Sequence, residues 1–321
     1  MALAQLKTDA TEARLAGAVL PEAAAWANEA RASALARVRQ MGLPTKRDEY
    51  WKYTDPTTLT AVDAPEAALF VNDEGPLFAD VDRLRIVFVD GVFDPEASDD
   101  LQSEGVEVER LSDAMQADIH WVKDIYGVLE ARGQKPVERP LAALNTALAT
   151  DGIVIRATAK VTKPINFIYL HQDVASDAVL HNVVKVEAGA EVTLLETGPA
   201  AARFSKQLEV DVAEGGTFHH VRAQGRDHER RAITHCFARI AANSSFKSFT
   251  LTFNGVLTRN ECVLEIMGDD AVAHVAGACV GDGKDFHHDD TVFVTHDAVN
   301  CESRQVFKKV LRNGATGVFQ G

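Results

Sequence analysis

Two columns of turn-forming residues repeat at a shared period in the second half of the sequence. The first column consists of Gly189, Gly215, Asn243 and Gly268, at spacings of 26, 28 and 25 residues. The second column consists of Gly198, Gly225, Gly255 and Gly281, at spacings of 27, 30 and 26 residues. Interleaved turns at one period indicate a coil that closes once per period. Because a single rung cannot bury its own apolar face, such rungs stack around a shared core.

Short strand-like runs fill the intervals between these turns. They follow Asp151-Gly152, where helical periodicity ends, and read IVIRAT, INFIYL, HNVVKVE, EVTLLET, KQLEVDV, FHHVRA, SFTLTF, CVLEIM and TVFVTH. A β-sandwich also has many short strands, but its turns recur every ~8–12 residues and its hairpins favour Asn-Gly or Asp-Gly pairs, which are few here. We therefore expect a mainly β protein in which residues 141–321 form a right-handed parallel β-helix.

The first 140 residues have a different composition and pattern, and are expected to form an N-terminal helical or α+β domain. Fourteen of the first 40 residues are alanine, which favours helix. Pro21 is predicted to open a second helix, and Gly42 and Pro44 to end it. Alternation over Arg83–Phe93 around an Asp-Gly pair predicts a hairpin. Leu111–Gly133 is predicted to be one amphipathic helix, and the run LAALNTALAT a short helix that closes the domain.

Net negative charge is concentrated in this first part of the chain. Residues 1–140 hold 15 Lys and Arg against 26 Asp and Glu, whereas residues 141–321 hold 18 against 21. The acidic first part argues against nucleic-acid binding, because phosphates require a basic surface. The nearly neutral second part carries no field that opposes a large protein interface.

Cysteine usage and hydropathy give an expectation about location. The four cysteines contain no CxxC pair, so neither a zinc site nor a disulfide framework is indicated. The first residues lack the apolar segment of a cleavable signal, and no run approaches the ~20 apolar residues that span a bilayer. We expect reduced thiols in a cytoplasmic protein that does not enter the membrane.

A histidine and aspartate cluster raises one enzymatic alternative. Residues two apart share a strand face, so His288, Asp290 and, further along, His296 are predicted to point the same way. Imidazole and carboxylate together suit iron, zinc or manganese, which suggests a metal-dependent enzyme built on a β-helix. The other interpretation is that stacked polar residues line an outer face or an interface, since no general base or open coordination position is identifiable.

Other catalytic patterns are incomplete. His219-His220 followed by His228-Glu229 resembles the metal motif of cupins, but the His-x-His spacing is missing. The sequence has no phosphate-binding loop, nucleophile elbow or dinucleotide fingerprint, and no readable pair of carboxylates for glycoside hydrolysis. The residues therefore predict a non-catalytic protein, with no catalytic, cofactor-binding or metal-binding residue assigned.

Several motifs, in order along nearly the whole chain, resemble those of the SufD family. They are LPTKRDEYWKYTD near the start, RIVFVDGVFDPE, PLAALNTALATDGIVIRA where the family's β-helix begins, and the final run FHHDDTVFVTHDAVNCESRQVFKKVLRNGATGVFQG. The sister family SufB shares the β-helix and the closing glycine-rich motif. The run Asn300-Cys301-Glu302-Ser303 and the N-terminal motifs favour SufD.

This resemblance implies a scaffold subunit for iron–sulfur cluster assembly. In that system SufB and SufD pair through their β-helices, and the ATPase SufC binds helical C-terminal domains. The cluster would be met only transiently within the full complex, and no bound cofactor is expected for this chain.

The resemblance also implies that a family segment is missing after Gly321. That segment contains the last rungs, cluster-facing residues and the SufC-binding helices, so no cluster-ligand position is carried over. A β-helix that ends in mid-rung exposes unpaired backbone groups and an apolar cross-section. We therefore expect self-association, such as a homodimer, near Val306–Gly321.

Overall fold

The N-terminal part of the computed structural model, which describes residues 3–70, 76–198, 200–225 and 229–321, consists of short helices and three strands. The helices are α1 (Leu3–Leu15), α2 (Ala25–Met41), α3 (Thr57–Thr60), α4 (Leu111–Ala114), α5 (Val128–Arg132) and α6 (Pro140–Leu148). The strands are β1 (Leu84–Val89), β2 (Val92–Asp94) and β3 (Val106–Arg110), and short 3-10 helices cover Glu49–Trp51 and Trp121–Asp124.

The remainder of the chain is built from strands. They are β4 (Ile153–Ala157), β5 (Ile165–Leu170), β6 (Asp177–Val186), β7 (Glu191–Gly198), β8 (Arg203–Val212), β9 (Thr217–Gln224), β10 (Arg231–Ile240), β11 (Ser245–Phe253), β12 (Leu257–Ile266), β13 (Val272–Asp282), β14 (His287–His296), β15 (Glu302–Arg312) and β16 (Thr316–Gln320).

Consecutive strands alternate between two sheets. Sheet 1 has the order β15-β13-β11-β9-β7-β5-β1-β2, and sheet 2 has the order β16-β14-β12-β10-β8-β6-β4-β3. From β4 onward each strand pairs in parallel with the strand two further along; for example, Thr217 is in register with Ser245 and Arg203 with Arg231. The predicted parallel β-helix is confirmed. The β-sandwich alternative is excluded, because its neighbouring strands would be antiparallel.

One turn column is a ladder of residues with left-handed backbone conformation. Gly189, Gly215, Asn243, Asp270 and Asn300 have φ values from +57° to +69°, and each lies two residues before a strand of sheet 1. The N–H groups of the first four donate to carbonyl oxygens of the next turn at 2.9–3.1 Å. Glycine, asparagine and aspartate adopt this conformation with the least strain, which explains the composition of the column.

Two glycines assigned to the columns from the sequence do not belong to them. Gly268 precedes the left-handed position, which Asp270 occupies instead. Gly281 lies inside β13, where an added Cβ would come 2.2 Å from the ring of Phe286. Close packing, and not a turn, therefore explains that glycine.

Most N-terminal elements agree with the sequence. The hairpin is confirmed as β1 and β2, and the short helix as α6. Helix α2 ends as predicted, where Gly42 has φ +68° and donates its N–H to Val38 O at 2.8 Å. The prediction that Pro21 opens this helix is wrong, because α2 begins at Ala25.

The single helix predicted over Leu111–Gly133 is wrong as well. This segment forms α4, a 3-10 helix and α5. His120 Nδ1 accepts a hydrogen bond from Val122 N at 3.1 Å, which caps the 3-10 helix. Gly127, with φ +71°, precedes α5. The cap and the glycine interrupt an otherwise helical apolar pattern.

The N-terminal part packs on the outer face of sheet 2. Phe237 and Val263, which point away from the solenoid interior, contact a buried cluster that includes Tyr126 and Leu129. Strand β1 also joins sheet 1 beside β5, and β3 joins sheet 2 beside β4. A division of the chain at residue 140 stays a prediction. Within the described ranges, no helix has the length and apolar character needed to cross a bilayer.

Candidate functional site

A buried charged cluster lies on sheet 2 where the N-terminal part covers it. Arg259 on β12 donates to Glu261 Oε1 at 2.7 Å and to Asp289 Oδ2 on β14 at 2.6 Å. The Arg259 guanidinium carbon lies 4.1 Å from the ring centroid of Trp51 and 4.6 Å from that of Tyr50. We term these five residues the seam cluster, because they join the N-terminal segment to the solenoid.

Two further residues extend the pairing of the seam cluster. Arg139 Nε donates to the second oxygen of Glu261 at 3.0 Å. Thr54 Oγ1 donates to Asp289 Oδ2 at 2.5 Å. Two guanidinium groups thus face two carboxylates in a region closed to solvent. A buried charge is tolerated only with such partners, so the cluster fixes how the segment around Trp51 sits on the sheet.

The seam cluster also sets the protonation of its neighbours. Burial opposes ionisation of Glu261, but the positive charges of Arg259 and of the other nearby cations outweigh it and lower the pKa of Glu261 to about 2. Burial lowers the pKa of His235, on the adjacent strand β10, to about 4. At neutral pH Glu261 is therefore anionic and His235 is neutral.

A second polar network occupies the interior of the solenoid. Glu196 on β7 forms an ion pair with Lys206 on β8, and it accepts from the hydroxyl of Tyr169 at 3.0 Å. His220 Nε2 lies 2.7 Å from Glu196 Oε1, and His220 Nδ1 lies 2.9 Å from Ser248 Oγ. Burial lowers the pKa of Lys206 to about 8 against the opposing charge of Glu196.

The network continues toward the last rungs. Arg222 donates to Asn260 Oδ1 at 3.1 Å, and Asn260 Nδ2 donates to Asp290 Oδ1 at 3.3 Å. Lys309 on β15 donates to Asp290 Oδ2 at 2.6 Å and lies 2.8 Å from His288 Nδ1. Burial holds the pKa of His288 well below its usual value. We call the whole chain of contacts, from Tyr169 to Lys309, the lumen network.

The structure brings together only part of the predicted metal cluster. His288 and Asp290 both point inward, with Nδ1 and Oδ2 3.3 Å apart. His296, by contrast, is exposed and bonds Ser303 Oγ at 2.9 Å. Six residues of strand separate it from Asp290, roughly 20 Å at the usual rise. In the described parts of the chain, no three His, Cys, Asp or Glu side chains form a group that could hold a metal ion.

The cupin-like pattern does not assemble either. His219 and His220 are neighbours on β9, so His220 enters the lumen network while His219 faces outward. His228 lies outside the described residues. Glu229 accepts a hydrogen bond from Ala68 N at 2.7 Å and thereby ties the N-terminal part to the turn before β10.

The seam cluster was missed by sequence reasoning, as were Lys206 and Arg222. Their one signal is a charged residue within a strand-like run, as in LTRNECVLEI of β12. Strands of a parallel sheet covered on both faces bury every side chain, so a charge there requires a buried partner. The identity of that partner depends on strand register, which the sequence alone leaves open.

Fold and site together define a class of protein: a parallel β-solenoid with an ordered polar interior and an N-terminal segment bound across one sheet. Comparison with known protein families identifies the family to which the chain is similar. Residues 169–321 match the family described as SUF system FeS cluster assembly, SufBD core domain. Residues 17–167 match the SufBD protein N-terminal region.

One curated relative supports the same placement. The chain is 22% identical over 305 residues to the iron-sulfur cluster assembly protein SufD of Escherichia coli (strain K12). The match covers 89% of this chain and 67% of that protein. The chain belongs to the SufBD family of iron–sulfur cluster assembly proteins, and its predicted resemblance to SufD is confirmed.

Proposed function

We propose that this chain is a non-catalytic scaffold subunit of the SUF iron–sulfur cluster assembly system and works in the cytoplasm. It pairs with a SufB-type sister protein, and a SufC-type ATPase supplies nucleotide hydrolysis. The cluster is cargo of the complex and not a resident cofactor of this chain. Family membership supports the assembly role, and the absence of a phosphate-binding loop from the sequence agrees with ATP hydrolysis by a partner.

The observation that carries the pairing proposal is an exposed apolar surface on β15. Val306 and Val310 are 44% and 56% exposed on the outer face of sheet 1. We term these two residues the terminal-rung surface.

Exposed apolar side chains on a flat sheet face favour association with another protein, because they gain free energy when water is excluded. The small net charge of residues 141–321 removes long-range repulsion between two such solenoids.

Co-expression of the tagged chain with SufB-type and SufC-type proteins tests the proposal. We expect the SufB-type protein to co-purify in equal amount, and ATP hydrolysis to require the SufC-type protein. A SufB-type protein that stays in the flow-through, while both chains are folded, would refute the pairing.

The variant His288→Ala tests the enzymatic alternative separately. It removes one member of the lumen network, so we expect a lower melting temperature and no lost turnover. A metal-dependent activity that disappears in this variant, with the fold retained by circular dichroism, would overturn the scaffold assignment.

A further inference from the structure

Two cysteines lie side by side in the solenoid interior, away from the terminal-rung surface. Cys236 on β10 and Cys262 on β12 are register partners. Both are half-buried, pack against the inner core and line a cavity of about 40 Å³ together with Lys206 and Arg222. Such a volume exceeds the space that one water molecule needs, so the cavity has room for an ion beside the sulfurs.

The spacing of the strands suits a pair of sulfurs bridged by one ion. Register partners on parallel strands lie ~4.8 Å apart. Both thiols are free in the structure. Two metal–sulfur bonds of about 2.3 Å each span the strand separation without moving the backbone.

We propose that Cys236 and Cys262 bind a single soft monovalent cation, Cu(I), between their sulfur atoms. Thiolate ligands select Cu(I) over hard cations. Zinc in structural sites requires four ligands, and the described residues offer no third His, Cys, Asp or Glu that completes a metal-binding group here. Binding displaces one proton from each thiol to solvent and leaves a Cu(I) bis-thiolate of charge −1, with no change in oxidation state.

The charge around the cavity suits that anionic complex. Lys206 is already paired with Glu196. Arg222 instead donates to the neutral groups of Thr234 and Asn260, and its Nε has no hydrogen-bond partner among the described residues. A guanidinium without a carboxylate partner, placed in a half-enclosed cavity, favours a negative occupant.

Cys279 provides a matched control inside the same solenoid. It is a buried residue of β13, and its register partners are Thr252 and Lys309, so no second thiol lies beside it. Burial raises its pKa to about 11. Cys279→Ser therefore removes a buried thiol of the interior without removing a proposed ligand.

The test is an anaerobic titration of the purified chain with Cu(I) against a chromophoric Cu(I) chelator. We expect one tightly bound Cu(I) per chain. Cys236→Ser and Cys262→Ser should each weaken it more than about 100-fold, because loss of an outer contact alone costs about 10–100-fold. Cys279→Ser should bind as the wild type does.

X-ray absorption on the loaded wild-type chain covers the case in which a serine variant fails to fold. Two sulfur neighbours and no others are expected around copper. Nitrogen or oxygen neighbours, a third sulfur, or unchanged affinity in folded Cys236→Ser and Cys262→Ser would each overturn the site.

Discussion

Arg259 lies between two carboxylates and two aromatic rings, in a place where a charge has no access to water. Its own side chain is fully buried, and so is that of Asp289. Desolvation of such groups is costly and is offset only by well-placed partners. The removal of one partner therefore destabilises the protein more than the pair itself stabilises it.

Substitution of Arg259 tests this asymmetry. Arg259→Met leaves Glu261 and Asp289 short of a positive charge, and we expect the free energy of unfolding to fall by about 3–5 kcal/mol. Urea denaturation measures the change.

Arg85→Met is the matched control for the loss of an arginine. Arg85 pairs with Asp99 at 2.7 Å, but half of its side chain is exposed. An exposed pair contributes about 0–1 kcal/mol. Equal losses of unfolding free energy in the two variants would show that the seam cluster stabilises the protein no more than an exposed ion pair does.

The neutral state of His235 predicts a loss of stability in acid. An unfolded histidine takes up a proton near pH 6.5, whereas His235 in the folded chain does so only near pH 4. Protons therefore favour the unfolded state between these values, and stability falls as the pH drops through that window.

His235→Phe removes this contribution while keeping a ring beside Phe237. We expect the loss of unfolding free energy between pH 6.5 and pH 4 to be smaller than in the wild type by up to roughly 3 kcal/mol. Parallel pH profiles for the two proteins, from thermal unfolding, would contradict the prediction.

At the scale of elements, the turn ladder shows what a sequence period can and cannot specify. The period was readable because left-handed positions recur once per rung and admit few residue types. The residue that occupies each left-handed position was not always readable: Asp270 fills the fourth position, and Gly268, two residues earlier, does not. A glycine in the sequence is consistent with a turn, with close packing, or with neither.

Asn243 offers a direct test of the ladder. It is exposed and has φ +57°. Asn243→Val places a β-branched residue in this conformation, and we expect a loss of about 1–2 kcal/mol. Asn243→Gly adopts the same conformation without strain, so its melting temperature should stay within a few degrees of the wild type. A valine variant as stable as the glycine variant would argue against the left-handed assignment.

Some strands and one helix break escaped the sequence pattern for physical reasons. Strand β13 (VAHVAGACVGD) is rich in alanine and glycine, and β15 (ESRQVFKKVLR) is mostly polar or charged, so neither resembles a typical strand. Parallel pairing with neighbouring rungs overrides these weak propensities. The break at Gly127 depends on tertiary contact, since an added Cβ there would lie 2.8 Å from Thr146.

At the scale of the whole molecule, topology decides which predicted site residues meet. Strand alternation placed His288 and Asp290 together, and this was readable from the sequence. His296 shares the strand but lies too far along it. The contact of Asp289 with Thr54 joins positions 235 residues apart, which no local pattern reveals.

In the proposed account, a SufB-type solenoid covers Val306 and Val310 on sheet 1, and the seam cluster holds the N-terminal segment on sheet 2. Val92 on β2 is 68% exposed at the opposite end of sheet 1 and provides a control for added surface charge.

The most direct test is the light-scattering mass of this chain mixed with its SufB-type partner. The account predicts the mass of a one-to-one complex for the wild type and for Val92→Asp, and separate chains for Val310→Asp, which places a charge in the apolar interface. A one-to-one complex that survives Val310→Asp and Val306→Asp together, or a wild-type chain that never pairs, would contradict the account.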